Sequence, residues 1–175
     1  MAEAVEPREA SPDEVARLYF EACPWAGLEA LEVNLWLIAA NQALIAGVQR
    51  TMNQVAPRTS PARYVALRDL FLSPQHRLSQ NDLQRGSKVT SGTMTRLIDG
   101  LEEEGLVVRV PSAEDRRAIY VELTSAGLEV CQRLIPAVAR YSVEVCEGMT
   151  VADQKRFVRL LKSIAARSDA ATGLE

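Results

Sequence analysis

The apolar positions change period along the chain, from helical to alternating and back to helical. Between Leu28 and Val55, the residues Leu31, Leu35, Ile38, Ile45 and Met52 recur near heptad spacing, with Gln42 and Gln49 interrupting. A second stripe holds Val33, Trp36, Leu37, Ala40, Leu44 and Val48. The spacing predicts one long helix over 28–55, apolar on more than one face, as suits a helix touching both its own domain and a partner. Ahead of it, Ser11-Pro12 predicts a short capped helix, because serine accepts a free N–H and proline suits the first helical position. Val15, Leu18 and Tyr19 form its apolar side, and Cys23-Pro24-Trp25-Ala26-Gly27 breaks it.

After Val55 the signals come faster. Ser60-Pro61 opens a helix with Tyr64, Leu67, Leu70 and Phe71 inward, and Ser73-Pro74 ends it. Ser79 caps a short helix, with Asp82 three residues on as a capping-box partner and Gly86 closing it. Thr90 caps the next, where Met94, Leu97, Ile98 and Leu101 bury one face and Gly105 suits the left-handed residue past the end. The period then drops to two: Val107, Val108 and Val110 on one strand, Ile119, Val121 and Leu123 on its return. Thr124 caps a long helix to about Gly148, in which Pro136 makes a kink or sits where the lost hydrogen bond is tolerated. Thr150, with Asp153, caps a last helix whose Phe157, Leu160, Leu161 and Ile164 point inward.

The predicted fold class is mostly α with a small β-hairpin wing: a winged helix-turn-helix domain flanked by N- and C-terminal dimerisation helices. The expected divisions are a disordered tail over 1–10, an extension helix and dimerisation helix over 11–58, the DNA-binding domain over 59–124, further dimerisation helices over 125–168, and a tail over 169–175.

Each part of the segment 79–124 has a physical use on a duplex. A helix fits the major groove, and its N-terminal residues reach the base edges. Burial of Met94, Leu97, Ile98 and Leu101 leaves Gly92, Thr95, Arg96 and Asp99 outward, with Ser91 and Thr93 beside the helix start. Thr90, Ser91 and the free N–H groups suit a phosphate. Gly92 lets the backbone approach closely, Arg96 is the bidentate reader of guanine, and Thr95 suits a thymine methyl. Arg85 and Lys88 are phosphate contacts from the preceding helix and turn. In the hairpin turn, Asp115 and Arg117 pair and fix its shape, and Arg116 or Arg117 enters the minor groove. Each residue alone reads equally well as a solvated face, a helix cap or a polar turn; only the ordered set points to DNA. Gly92 and the acidic run Glu102–Glu104 predict a light DNA reader that leans on dimerisation.

Bulk properties adjust this picture little. The chain has 175 residues, 47% hydrophobic, with a net charge of −3. That charge weakly opposes a nucleic-acid partner, but residues 1–34 hold eight acids and two arginines, so the remainder is +3. No run of some 18 apolar residues and no signal-peptide pattern is expected, which predicts a cytoplasmic location without a membrane partner. Three widely spaced cysteines, Cys23, Cys131 and Cys146, suit a reducing compartment. There is no nucleophile–base motif, phosphate loop or zinc-ligand spacing, and one histidine, His76, so neither an enzyme, a cofactor nor a metal is expected.

The chain resembles the MarR family of bacterial winged-helix regulators. The carrying residues are Asp115-x-Arg117 followed by Leu123-Thr124, the segment VTSGTMTRLIDGLEEEGLV, and the preceding SQNDLQRG; Thr124-Ser125-Ala126-Gly127 resembles that family's "LTxxG" exit. The chain departs at Gly92, where a polar or basic residue is usual, and at QRGSK. The resemblance implies a homodimer reading an inverted repeat of double-stranded DNA, acting as a repressor relieved by a small, often aromatic, effector. It places that effector near Trp36, Ala40, Leu44, Arg63, Tyr64, Leu67 and Phe71, with Arg63 meeting a carboxylate and Trp36 or Tyr64 stacking; Trp36, Leu67 and Phe71 also read as plain core and Arg63 as a surface residue. Urate-sensing relatives share an extra N-terminal helix, but here Trp25 falls after that helix and Val65 follows Tyr64, so urate is not expected. Two alternatives stand beside this reading: a winged-helix module that binds protein, and a thiol redox sensor acting through Cys23.

Overall fold

The computed structural model describes residues 10–87, 89–111 and 119–171. Apart from α2, its α-helices begin at side chains that take up free N–H groups. Ser11 starts α1 (Pro12–Ala22) with a complete capping box: Glu14 N–H donates to Ser11 Oγ at 3.2 Å, and Ser11 N–H donates to Glu14 Oε2 at 2.7 Å. A 3-10 turn (Pro24–Ala26) and Gly27, at φ 74°, lead into α2 (Leu28–Val55). Ser60 caps α3 (Pro61–Leu72), and Thr124 caps α6 (Ser125–Glu144). Thr150 Oγ1 accepts from Asp153 N–H at 3.2 Å at the start of α7 (Val151–Ala171).

Between α3 and α6 lie β1 (Arg77–Ser79), α4 (Gln80–Ser87), α5 (Ser91–Glu103), β2 (Val107–Pro111) and β3 (Ile119–Leu123). The expected two-stranded hairpin is therefore part of a three-stranded antiparallel sheet, in the order β1-β3-β2. Leu78 pairs with Val121, and Arg109 pairs with Val121 from the other side. β1 went unpredicted because three residues are too few to show an alternating pattern, and its partner lies far along the chain.

Most of the core sits under this sheet. Leu67 and Leu70 of α3, Leu83 of α4, Met94, Ile98 and Leu101 of α5, Val107, Val121 and Cys131 are all buried in one cluster. A smaller cluster joins Met52 of α2 to Leu134 and Val138 of α6. Three expectations are corrected. Gly86 does not close α4, which continues to Ser87; a Cβ at Gly86 would stand 2.6 Å from Asp69 Oδ2, so close approach of α3 explains the glycine. In α1 the residue buried is Ala16, while Leu18 and Tyr19 are exposed. In α7 none of residues 151–168 is buried: Phe157 and Leu160 lie in the open, and Leu161 and Ile164 are only partly covered.

A fourth correction concerns α2. Among the described residues this one helix is long and apolar enough to cross a membrane by length and composition, with mean hydropathy 1.4 over an 18-residue window. Its apolar surface is interrupted by Asn34, Asn41, Gln42 and Gln49, and it packs against α1 and α6.

The exit from the sheet is a tight junction. Thr124 Oγ1 donates to Gly105 O at 2.6 Å and accepts from Gly127 N–H at 3.0 Å, while Thr124 N–H donates to Leu106 O at 3.1 Å. A Cβ on Gly127 would stand 2.0 Å from Leu106 O, a backbone atom that cannot swing aside. This accounts physically for the Thr124-x-x-Gly127 pattern. Gly127→Ala is expected to destabilise the fold by about 1–3 kcal/mol through overpacking. Urea unfolding checks it, and an unchanged midpoint would contradict the junction described.

Candidate nucleic-acid interface

The α4–turn–α5 unit presents one end of α5 to solvent. Thr90, in extended backbone at φ −68° and ψ 157°, accepts from Thr93 N–H at 3.3 Å, and its hydroxyl lies 2.9 Å from that of Thr93. Met94, Ile98 and Leu101 hold the helix to the core, and the opposite face leaves Ser91, Gly92, Thr93, Thr95 and Arg96 exposed. A Cβ at Gly92 would meet nothing within 4 Å, so nothing inside the chain requires glycine there. The Thr95 hydroxyl is occupied: it donates to Ser91 O at 3.1 Å and accepts from Gln80 Nε2 at 3.0 Å. Gln80 was not singled out from sequence, yet it ties α4 to the exposed face of α5.

Arg85 is exposed and ion-paired with Asp82. The Ser79 hydroxyl and then Arg85 hold the Asp82 carboxyl below its usual range. Lys88, Asp115, Arg116 and Arg117 lie outside the described residues.

The acidic side of α5 differs from expectation. Asp99 points not to solvent alone but to Arg109 on β2, with Nη2 to Oδ1 at 2.6 Å. The same guanidinium pairs with Glu102, whose Oε1 also accepts Arg109 N–H at 3.1 Å. Burial alone would lower the Arg109 value, but the Asp99 and Glu102 carboxylates hold it above its ordinary range. Glu104 is bound to Arg63 of α3, with Nη2 to Oε2 at 2.8 Å. The run Glu102–Glu104 therefore carries less free negative charge than its sequence suggested.

Among the described residues, those expected at an effector site have separate surroundings. Trp36, Ala40 and Leu44 lie exposed on α2, and Trp36 Nε1 donates to Asp13 Oδ1 of α1 at 2.7 Å. Leu67 is core, and Tyr64 packs against the Met52 cluster, where burial raises its phenol above the ordinary value. Phe71 stacks on His76 with ring centroids 5.5 Å apart, and His76 Nδ1 lies 2.8 Å from Phe71 O, which gives the histidine a structural place. The Arg63 guanidinium already meets Glu104. Among the described residues, no group of three His, Cys, Asp or Glu side chains is placed to hold a metal ion.

Two helices joined by a tight turn, the second anchored by one face, followed by a short antiparallel sheet, make a winged helix-turn-helix. Residues 59–119 match the family described as "MarR family". Over that segment, which carries α4, α5 and β2, the chain is similar to the MarR family. Among similar proteins, "HTH-type transcriptional regulator PrsX" of Escherichia coli is 36% identical over 106 residues, covering 61% of this chain and 64% of the relative. "HTH-type transcriptional repressor YetL" of Bacillus subtilis is 33% identical over 108 residues, covering 62% and 65%. The chain thus spans under two thirds of these relatives. Sco3205 from Streptomyces coelicolor, a MarR family transcriptional regulator solved in complex with DNA, superposes with TM-score 0.71 at 26% identity, over 78% of this chain and 89% of that one.

The thiols separate by surroundings. Cys131 is buried, with Sγ 3.7 Å from Leu67 O, and burial pushes its pKa up to about 11. Cys23 and Cys146 are partly exposed. A thiolate is the reactive form, so at pH 8 Cys131 is expected to resist alkylation in the folded protein and to react only on unfolding. Mass spectrometry of labelled peptides reads this directly; native labelling of Cys131 as fast as Cys23 would refute its burial.

Proposed function

We propose that the chain is a homodimeric, sequence-specific DNA-binding transcriptional regulator, acting as a repressor. The observation that carries this reading is the exposed N-terminal half of α5. Ser91, Gly92, Thr93, Thr95 and Arg96 surround a capped helix start, and core contacts use only the opposite face. Free N–H groups at that start suit a phosphate, and the uncrowded Gly92 permits backbone approach. Arg96 carries the base-reading role and Thr95 offers its methyl, since its hydroxyl is held by Gln80. Arg85 and Lys88 take the phosphate-contact roles, and Arg116 or Arg117, beside Asp115 in sequence, the minor-groove role.

Dimerisation is supported by apolar surface left open on one chain. Val33, Trp36, Ile38, Leu44 and Ile45 of α2, Leu18 and Tyr19 of α1, and Phe157, Val158 and Leu160 of α7 are all exposed. A second copy suits this surface better than a bilayer, because polar residues interrupt the stripe on α2 and its ends bear on α1 and α6. Two-fold symmetry then sets the readers on half-sites about 34 Å apart. A small effector, where one acts, would rest on Trp36, Ala40 and Leu44 between copies and shift the half-site spacing. The relatives' names as transcriptional regulators support a non-enzymatic role, exercised in the cytoplasm. A protein-binding winged helix would place apolar or acidic groups on the outer face of α5, where Thr95 and Arg96 stand instead.

Arg96→Ala is expected to cost about 1–3 kcal/mol of DNA affinity and to relax specificity at one base pair. Lys88→Ala is expected to weaken all sequences alike and to lower the salt slope by about 1. Gel shifts and salt titrations on a duplex selected by the protein from a random library measure both. Undiminished binding by Arg96→Ala would remove α5 as the reader.

A further inference from the structure

We propose that Arg63 is a positioning residue that locks the C-terminal end of the reading helix α5 to the long helix α2, so that DNA affinity depends on it although it touches no DNA. The proposal rests on the reading of α5 given above. Its ground is the number and direction of contacts made by one guanidinium. Nη1 donates to Glu104 Oε1 at 3.0 Å and to Arg58 O at 3.0 Å. Nη2 meets Glu104 Oε2 at 2.8 Å and donates to Gly100 O at 3.3 Å. A bidentate carboxylate and two carbonyls leave little donor capacity for a phosphate, and the side chain is only 18% exposed.

Those partners belong to two different parts of the molecule. Gly100 lies in the last turn of α5 and Glu104 is its C-cap, where a cation also complements the helix dipole. Arg58 lies in the connection from α2 to α3, and that connection is itself tied back to α2. Thr59 is buried, its N–H donates to Ala56 O at 2.9 Å, and its carbonyl accepts from Gln49 Nε2 of α2 at 3.2 Å. Gln49 Nε2 also donates to Asn53 Oδ1 at 2.8 Å. Arg63 is in turn fixed by the Ser60 cap, whose Oγ accepts Arg63 N–H at 3.3 Å. A continuous polar path thus runs from Gln49 through residues 58–59 and Arg63 to the end of α5. That end lies eight residues from Arg96, about 12 Å along the helix, so Arg63 acts on the reader through its base.

A direct phosphate contact and a positioning role make opposite predictions for the carboxylate partner. Removing Glu104 takes a negative charge away from DNA, and charge alone would then strengthen binding. If Arg63 and Glu104 position α5, loss of either weakens it. Arg63→Ala, Glu104→Ala and the double variant are to be titrated by fluorescence anisotropy on a duplex selected by the parent from a random library, at several salt concentrations. Expected are losses of about three- to thirtyfold for each single variant, a double variant no weaker than the worse single, and an unchanged salt slope. Arg63→Lys should not restore affinity, since an ammonium cannot span a carboxylate and two carbonyls in one plane. Hydrogen exchange should quicken at the amides of Glu104, Gly105 and Leu106, with the melting temperature recorded to separate local loosening from unfolding.

Binding by Arg63→Ala within about twofold of the parent overturns the proposal, as does tighter binding by Glu104→Ala with a salt slope reduced by about 1 in Arg63→Ala. A parent that selects no duplex defeats the reading of α5 itself, and is seen before any variant is made.

Discussion

Everything the proposed interface offers depends on how α5 is held. Met94, Ile98 and Leu101 are buried to 1% exposure or less. Burying each side chain contributes about 1.5–3 kcal/mol. The ion pairs around the same helix are partly exposed and contribute about 0–1 kcal/mol each to stability. The apolar face therefore decides that α5 stays on the domain. The polar contacts decide something else, namely its angle and register on that surface. They come from three directions: Gln80 of α4 at Thr95, Arg109 of β2 at Asp99 and Glu102, and Arg63 of α3 at Gly100 and Glu104. Apolar packing alone tolerates sliding, whereas bidentate arginine pairs are directional.

The same pairs resolve a tension in the charge pattern. A reading helix bearing Asp99 and Glu102–Glu104 looks ill-suited to a polyanion. Asp99, Glu102 and Glu104 are each engaged by an arginine, while Glu103 is exposed to solvent. The acids cluster toward the C-terminal half of α5, while the N-terminal half carries hydroxyls, Gly92 and Arg96. Local arrangement thus matters more than the net charge of −3.

Most elements were legible in the sequence because local chemistry marks them. Ser11, Ser60, Thr90 and Thr124 cap the helices they were expected to cap, and Gly105 takes φ 70° after α5. What stayed hidden was long-range. β1 is three residues with a distant partner, and no local pattern ties Arg109 of β2 to Asp99 and Glu102 of α5. Gly86 looked like a helix stop because glycine ends helices often; its actual constraint is Asp69 on another helix. The exposure of Thr95 and Arg96 opposite the buried face of α5 was legible from spacing, but the Gln80 brace on Thr95 required the packing angle between α4 and α5. Arg63 shows the same limit: as a residue type it suited an anionic ligand, and only its neighbours reveal that its hydrogen bonds are spent on Glu104, Gly100 and Arg58.

The exposed apolar faces pose the remaining physical constraint. Single exposed apolar residues are ordinary, but contiguous ones mark an interaction surface. α2 leaves Trp36, Ile38, Leu44 and Ile45 open, and α7 leaves Phe157, Val158 and Leu160. Within the proposed dimer, covering these faces does more than stabilise, because α2 is also the origin of the polar path through Gln49, Thr59, Arg58 and Arg63. Partner contacts on one side of α2 and the base of α5 on the other would then share one rigid element. Any ligand that favours one dimer geometry over another would act on reader spacing through differential contacts with α2, which is the only currency in which such a shift can be made.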